Sequence, residues 1–215
     1  SAGHMRRALV VAPQGERGER LVQAFTRRWE VLGGIQPKPM RYPAGSGNYS
    51  VQLADALGID LASGQLRSGN TLPDMVFFIG NSADAAAIID ALASSGAGTV
   101  PVYATAQSFT QQPALALRLE GLRLCLSPWQ AGLGPLRAAG DAAPAGADIL
   151  YAMGADALTL YPDLPMMQVN TSLNIAGNTG YLSMDADRRV VRQLIQGVMR
   201  GGQFQAIPVT ASERF

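Results

Sequence analysis

Histidine, cysteine and lysine are almost absent from this chain of 215 residues. Each occurs once, as His4, Cys125 and Lys38, and His4 lies within residues 1–5, which have the pattern of a cleaved expression-tag remnant. Without that segment no histidine remains, which excludes Ser-His and Cys-His nucleophile pairs, histidine acid-base catalysis and histidine-containing zinc sites. Cys125 lies between two leucines, which favours packing over a reactive thiol, and it has no partner for an internal disulfide.

Blocks of like charge are lacking as well. The net charge is +1, and with one Lys among 17 basic residues the other 16 are Arg, spread along the chain. This pattern supports neither nucleic-acid binding nor a polybasic membrane anchor, and no apolar run is long enough to span a bilayer. Carboxylates are the remaining acid-base groups, but Asp84 with Glu120 or Asp156 has no spacing typical of catalysis. We therefore predict no enzymatic activity, no metal site and no cofactor.

The clearest structural pattern lies in residues 74–108. Residues 75–79 form a short, continuous apolar run typical of a strand covered on both faces, and a helix pattern links them to a second run at 100–104. Two consecutive strands joined by a helix are expected to be parallel, so a right-handed crossover places both following loops at one carboxyl edge. Ligands bind at that edge in open α/β sheets. The candidate cleft residues there are Asn81, Ser82, Thr105, Gln107 and Ser108, which are equally typical of helix caps and turns.

Further segments extend this α/β pattern. Residues 8–12 and 122–126 predict strands, and residues 149–160 predict a helix with Leu150, Met153, Ala157 and Leu158 on one side. Residues 131–148, rich in Ala, Gly and Pro, predict a linker or a poorly ordered helix. The expected core is a parallel sheet containing 8–12, 75–79 and 100–104, with helices on both faces.

Four motifs carry a family resemblance. They are residues 101–105 (Pro-Val-Tyr-Ala-Thr), 119–121 (Leu-Glu-Gly) followed by 127–129 (Ser-Pro-Trp), 150–157 (Leu-Tyr-Ala-Met-Gly-Ala-Asp-Ala) and 177–182 (Gly-Asn-Thr-Gly-Tyr-Leu). In order and spacing the chain resembles the carboxyl-terminal domain of the LppC/LpoA family, bacterial lipoproteins that activate penicillin-binding proteins. The resemblance implies the two-lobed type I periplasmic-binding-protein-like fold, a parallel sheet flanked by helices, with the second lobe nearly complete and the first only partial.

The same resemblance implies a division of the chain. Residues 6–128 with 189–209 are expected to form the second lobe, 129–148 a flexible connection, and 149–188 a segment of the first lobe. Most of the first lobe, a helical amino-terminal domain and the lipidated cysteine are expected to lie outside this chain. The family's Arg-rich segment before the central strand is absent, which leaves Arg67 in a Gly-rich loop.

By resemblance, the function is that of a non-enzymatic periplasmic regulator on the outer membrane. Its partner is expected to be a class A penicillin-binding protein, a bifunctional peptidoglycan synthase, with membrane attachment only through a lipid anchor outside this chain. The alternative is a periplasmic receptor of the same fold that binds a small molecule in the cleft between the lobes.

Trp129, Tyr151 and Asp156 are candidate hinge or partner contacts. Pro128 restricts the backbone after the strand that ends near Ser127, so Trp129 is expected at the boundary between the lobes. Packing in a hinge core is the favoured interpretation because aromatic side chains bury so much apolar area. The alternative is an exposed partner contact, a role in which Trp is enriched.

Overall fold

The computed structural model describes residues 5–138, 148–170 and 172–208. Its strands are β1 (Ala8–Pro13), β2 (Lys38–Tyr42), β3 (Met75–Phe78), β4 (Val102–Ala104), β5 (Arg123–Leu126), β6 (Ile175–Ala176), β7 (Tyr181–Met184), β8 (Val190–Gln193), β9 (Ile195–Arg200) and β10 (Gln203–Ala206). Its α-helices are α1 (Glu16–Val31), α2 (Ser50–Leu57), α3 (Ser82–Ser94), α4 (Pro113–Leu117), α5 (Pro128–Ala131), α6 (Pro135–Ala138), α7 (Ile149–Leu160) and α8 (Leu164–Val169). Short 3₁₀ helices occupy Ala106–Ser108 and Tyr161–Asp163.

A seven-stranded sheet with the order β10-β9-β5-β4-β3-β1-β2 forms the core. The predicted parallel arrangement is confirmed, because β1 pairs in parallel with β3 and β3 in parallel with β4. β4 begins at Val102 and not at residue 100, because the N–H of Val100 donates to the carbonyl oxygen of Ala97 at 3.0 Å and Pro101 has no N–H to donate. At one edge the sheet ends in a hairpin, since the two-residue turn Gly201–Gly202, with φ of 55° and 75°, has the geometry that joins antiparallel strands.

Helices lie on both faces of the sheet, as predicted. On one face, Val22 of α1 packs with Val10, Ala12 and Ile79. On the other, Tyr42 stacks on Phe78 with ring centroids 5.7 Å apart, and α2 and α3 contact each other. The crossovers β1-α1-β2 and β3-α3-β4 run in opposite directions across the sheet, so right-handed connections place α1 and α3 on opposite faces. Each fully buried aromatic or aliphatic side chain stabilises this core by roughly 1.5–3 kcal/mol.

The chain divides into two compact units. The first contains the residues up to Leu124 together with Val198–Gln205, and the second contains Cys125–Gly197 together with the residues from Ala206 onward. The chain therefore passes between the units within β5, β9 and β10. Part of the predicted linker forms α5 and α6, while its residues 139–147 lie outside the described residues.

The second unit has a small core of its own. Its antiparallel sheet, β6-β7-β8, packs Leu182 and Met184 against Leu160 and Met167. The predicted helix is confirmed as α7, but the apolar side that carries Leu150 and Leu158 does not pack on this core, because Leu150 is 68% and Leu158 79% exposed. The buried stripe is instead Ala152, Asp156 and Leu160, spaced by one helical turn each. Helical periodicity alone missed this stripe because α7 is apolar on nearly every side.

The carboxylate of Asp74, just before β3, binds the residues just before β1, and its contribution to stability depends on pH. Its Oδ2 accepts hydrogen bonds from the backbone N–H groups of Arg6 (2.8 Å) and Arg7 (2.9 Å), and its Oδ1 accepts one from the Arg7 guanidinium (3.2 Å). The two backbone N–H groups, followed by the Arg7 side chain, hold the pKa of Asp74 below its ordinary value.

We expect Asp74→Asn to destabilise the protein at pH 7 and to have little effect in acid. A carboxyl whose pKa is lowered by folding stabilises the native state above its unfolded pKa of about 4, and this contribution disappears as the pH falls through the folded value. Chemical denaturation of both proteins at several pH values from 7 to 3 measures the difference. Asp163→Asn, at an exposed site, is the control and should show no such convergence. A difference for Asp74→Asn that does not change with pH would contradict the prediction.

Candidate functional site

The five candidate cleft residues lie at the carboxyl edge of β3 and β4. Asn81 and Ser82 begin α3, Thr105 follows β4, and Gln107 and Ser108 lie in the short 3₁₀ helix. The buried hydroxyl of Ser108 donates to the carbonyl oxygen of Gly80 at 2.9 Å, which joins the loops after the two strands. The structure therefore brings these residues to one edge of the first unit.

Several of these side chains already have structural partners. Asn81 caps α3, because its Oδ1 accepts from the backbone N–H of Asp84 at 2.9 Å and its Nδ2 donates to Asp84 Oδ2 at 2.9 Å. The amide of Gln107, with its oxygen toward α1, accepts from the Arg17 guanidinium at 2.6 Å. Thr105 differs, since its Oγ1 is buried and has no hydrogen-bond partner among the described residues. The edge is therefore largely occupied by bonds that hold the fold.

Asp84 is a residue at this edge whose structural role the sequence does not reveal. It lies in the first turn of α3, where a negative charge suits the helix dipole, yet it is only 3% exposed. Its Oδ1 accepts hydrogen bonds from the Tyr49 hydroxyl (2.6 Å) and the Gly45 N–H (3.1 Å), which ties the segment after β2 to α3. Burial, together with the hydrogen bond to Asp84, raises the pKa of Tyr49. The Asn-x-x-Asp spacing signals a cap, but no local signal identifies the distant tyrosine.

Asp156 is the centre of a second network, in the second unit. The carboxylate is 4% exposed and accepts four hydrogen bonds from the two residues Asn178 and Thr179. The backbone N–H groups of both residues donate at 2.7 Å, the Thr179 hydroxyl at 2.7 Å and the Asn178 amide at 3.0 Å. A Cβ at Gly177 would lie 2.9 Å from Asp156 Oδ2, so the turn approaches α7 this closely only with glycine there.

Trp129 and Tyr151 belong to the same network of the second unit. The carbonyl oxygen of Asn178 accepts from the Trp129 N–H at 2.7 Å, and its Oδ1 accepts from the Leu136 N–H at 3.1 Å. Trp129 is 6% exposed and its ring lies 5.8 Å from that of Tyr151. Ser127 caps α5 through a reciprocal hydrogen-bonded pair with Gln130, and Pro128 suits the first helical turn. Three motifs of the family resemblance therefore meet in one hydrogen-bonded cluster. They are the motifs around residues 127–129, 150–157 and 177–182.

An open groove of about 1120 Å³ lies within the second unit. Exposed apolar side chains line it, and Arg192 is the one charged residue among its described lining residues. The exposed large apolar lining residues are Leu133, Tyr181, Val191, Leu194 and Ile207. This lining suits another polypeptide surface better than a charged small molecule.

The described side chains offer no arrangement for metal chemistry. Within residues 5–138, 148–170 and 172–208, no three His, Cys, Asp or Glu side chains lie close enough to hold a metal ion. The Asp-x-Asp pair at 185 and 187 forms a turn, in which Asp185 Oδ1 accepts from the N–H groups of Asp187 (2.9 Å) and Arg189 (2.8 Å). Cys125 is exposed, so the packing that its leucine neighbours favoured is wrong, while partial desolvation raises the pKa of its thiol and disfavours the reactive thiolate.

We expect Asp156→Ala to destabilise the second unit by about 3 kcal/mol or more. The substitution leaves the buried donors of Asn178 and Thr179 without an acceptor, and it breaks a buried network. Asp148→Ala is the matched control on the same helix, since Asp148 is an exposed cap that accepts from the Leu150 N–H at 2.8 Å, and its loss should cost about 1 kcal/mol. Urea denaturation in a Trp29→Phe background, in which Trp129 is the remaining tryptophan, measures both by its fluorescence. Equal losses in the two variants would contradict a special role for Asp156.

Comparisons with known proteins agree with this architecture. The LppC putative lipoprotein family model matches residues 2–198. Penicillin-binding protein activator LpoA of Klebsiella pneumoniae is 28% identical over 211 residues, covering 86% of this chain and 30% of that protein. The LpoA C-domain of Haemophilus influenzae, described as a regulator of PBP1A, superposes with a TM-score of 0.67 at 19% identity, covering 94% of this chain and 62% of that one.

The structure of a putative transporter protein also shares the fold. A putative branched-chain amino acid ABC transporter protein from Rhodospirillum rubrum gives a TM-score of 0.68 at 19% identity, covering 95% of this chain and 61% of that one. The chain spans about a third of the length of the curated relatives it matches. Nearly its whole length is nonetheless matched by the family model, so the chain belongs to the LppC putative lipoprotein family and has a type I periplasmic-binding-protein-like fold.

Proposed function

We propose that this chain is part of a non-enzymatic regulator that activates a class A penicillin-binding protein in peptidoglycan synthesis. The observation that carries the proposal is the family match over residues 2–198 together with curated relatives named penicillin-binding protein activator. An activator acts by binding its enzyme, so it needs surfaces rather than catalytic groups. The near absence of His, Lys and Cys agrees with that role.

The proposed location is the periplasmic face of the outer membrane. The family description is that of putative lipoproteins, and a lipoprotein is anchored through a lipid on a cysteine. Across the part of the chain that the structure describes, no helix is long and apolar enough to cross a bilayer.

The small-molecule receptor alternative has less support. It rests on fold likeness alone, to structures such as the putative branched-chain amino acid ABC transporter from Rhodospirillum rubrum at 19% identity. Among the cleft residues, Asn81, Gln107 and Ser108 are already engaged in hydrogen bonds within the first unit. Only Thr105 has a buried oxygen that a ligand could satisfy.

We further propose that residues 149–188 are a segment of a first lobe whose remainder lies outside this chain. The support is the exposed apolar face of α7 and the adjoining short 3₁₀ helix, where Leu150 is 68%, Leu158 79% and Tyr161 74% exposed. Apart from the buried Asp156, α7 has no charged residue. A helix that is apolar on nearly all sides is normally covered. The matched Rhodospirillum rubrum structure is longer than its aligned part, since this chain covers 61% of it.

Cysteine labelling tests this lobe assignment. In a Cys125→Ser background, Leu158→Cys should react rapidly with a thiol reagent in this chain and at least about tenfold more slowly in a longer form of the natural protein. Leu61→Cys, in an exposed loop of the first unit, is the control and should react alike in both. Equal labelling of Leu158→Cys in the two forms would contradict the assignment.

A synthase assay tests the proposed function and the role of Trp129 together. The chain should raise the rate at which a purified class A synthase makes peptidoglycan. Trp129→Ala should lower stability by about 3–5 kcal/mol, as is typical for truncating a buried aromatic, and should still activate below its melting temperature. Tyr161→Ala, at an exposed aromatic, is the control for stability. An unchanged melting temperature with lost activation would instead make Trp129 a partner contact, and no activation by the wild-type chain would contradict the function.

A further inference from the structure

One face of the main sheet is covered by α1 over β1 but becomes progressively open toward β5. Phe77, Tyr103 and Arg123 lie directly opposite one another on β3, β4 and β5, so their side chains share this face. Phe77 and Tyr103 are partly exposed, and Arg123 is exposed although β5 lies inside the sheet between β4 and β9. Parallel sheets normally have both faces covered, so the exposed Arg123 on an interior strand marks a part of this face that the described residues leave uncovered.

The edge of α1 forms the wall of this surface. Phe25 stacks on Phe77 with ring centroids 4.3 Å apart, which places this side of α1 toward β3. Arg28 lies three residues further along the helix and therefore beside Phe25 on the same side. The opposite side of α1 faces β2, because Glu19 pairs with Arg41 there at 2.8 Å. We call the surface formed by Phe25, Arg28, Phe77, Tyr103 and Arg123 the open face.

The open face combines aromatic rings with unpaired positive charge. Arg123 Nη1 donates to the Tyr103 hydroxyl at 3.0 Å, and its guanidinium carbon lies 5.4 Å from the centre of that ring, so the charge is held in place. Neither Arg28 nor Arg123 forms an ion pair with any described carboxylate. The open face itself contains no Asp or Glu. Its chemistry therefore complements carboxylates next to apolar or aromatic groups.

We propose that the open face is the docking surface for an acidic, partly apolar polypeptide segment of the synthase. The proposal rests on the proposed function and adds where the partner binds and what chemistry it presents. A planar guanidinium held against a tyrosine binds a carboxylate in two hydrogen bonds without first losing conformational freedom. The rings of Phe25, Phe77 and Tyr103 supply apolar area around that contact, as aromatic residues do in interface cores.

Charge reversal with a matched control tests the proposal. Arg28→Glu and Arg123→Glu should each weaken binding of the chain to the synthase by about tenfold or more, because each replaces attraction by repulsion. Arg27→Glu makes the same charge change on the neighbouring residue of α1, which is exposed and lies off the open face, and should change affinity by less than about twofold. Binding is measured with the synthase immobilised on a surface at two salt concentrations. The affinity of Arg28→Glu and Arg123→Glu should depend less on salt than that of the wild type. Circular dichroism and melting temperatures establish that all variants are folded.

Photo-crosslinking identifies the segment that is bound. A photoreactive phenylalanine derivative in place of Tyr103 should crosslink to a synthase peptide that contains Asp or Glu, whereas the same group in place of Leu61 should not capture it. The docking proposal is overturned if Arg28→Glu and Arg123→Glu bind the synthase as tightly as the wild type. It is also overturned if the crosslinked peptide contains no carboxylate. Either result leaves the proposed function standing. If the wild-type chain does not bind the synthase, both the function and the docking proposal fail.

Discussion

The carboxylate of Asp156 is the constraint on which the second unit depends. Burying a charge costs several kcal/mol unless hydrogen bonds replace water, and here four donors from Asn178 and Thr179 do so. Asn178 in turn accepts hydrogen bonds from the backbone N–H groups of Trp129 and Leu136, through its carbonyl oxygen and its Oδ1. The network around Asp156 therefore positions α5, α6 and α7 relative to the turn. Because the apolar core of this unit is small, the polar network contributes a larger share of the interactions that specify its native packing.

Asp84 has a similar place in the first unit, but the sheet around it is far larger. The carboxylate joins the start of α3 to Tyr49, while the fully buried strand β1 and its neighbours already hold the unit together. The consequence for function is direct. Polar residues at the carboxyl edge look like ligand contacts in the sequence, yet Asn81 and Ser108 use their hydrogen-bonding groups to join the loops of the fold. A polar side chain at a sheet edge is therefore as typical of a structural hydrogen bond between loops as of a ligand contact.

Local signals explain what the sequence predicts well. The runs at 8–12 and 75–79 are apolar without interruption because both faces of β1 and most of β3 are covered, and the parallel order follows from their helical connections. The packed side of α7 could not be predicted in this way, since the helix is apolar on most sides and its buried stripe contains a carboxylate. The donors for Asp156 lie 22 and 23 residues away, and no pattern within one helix or turn reports them. The open face was missed for the same reason, because it depends on which strands become neighbours.

Two exposed surfaces of this chain differ in a way that separates permanent packing from partner binding. The exposed face of α7 presents Leu150 and Leu158 without a charge, as the interfaces of obligate assemblies do. The open face of the first unit instead carries Arg123 on an interior strand, where covering it with an apolar helix would leave a buried charge unpaired. Only a partner that brings its own carboxylate can cover that position without this cost. Because such charge pairing is weakened by salt and specific in geometry, the open face suits a partner that is bound and released, whereas the uncharged face of α7 suits permanent packing.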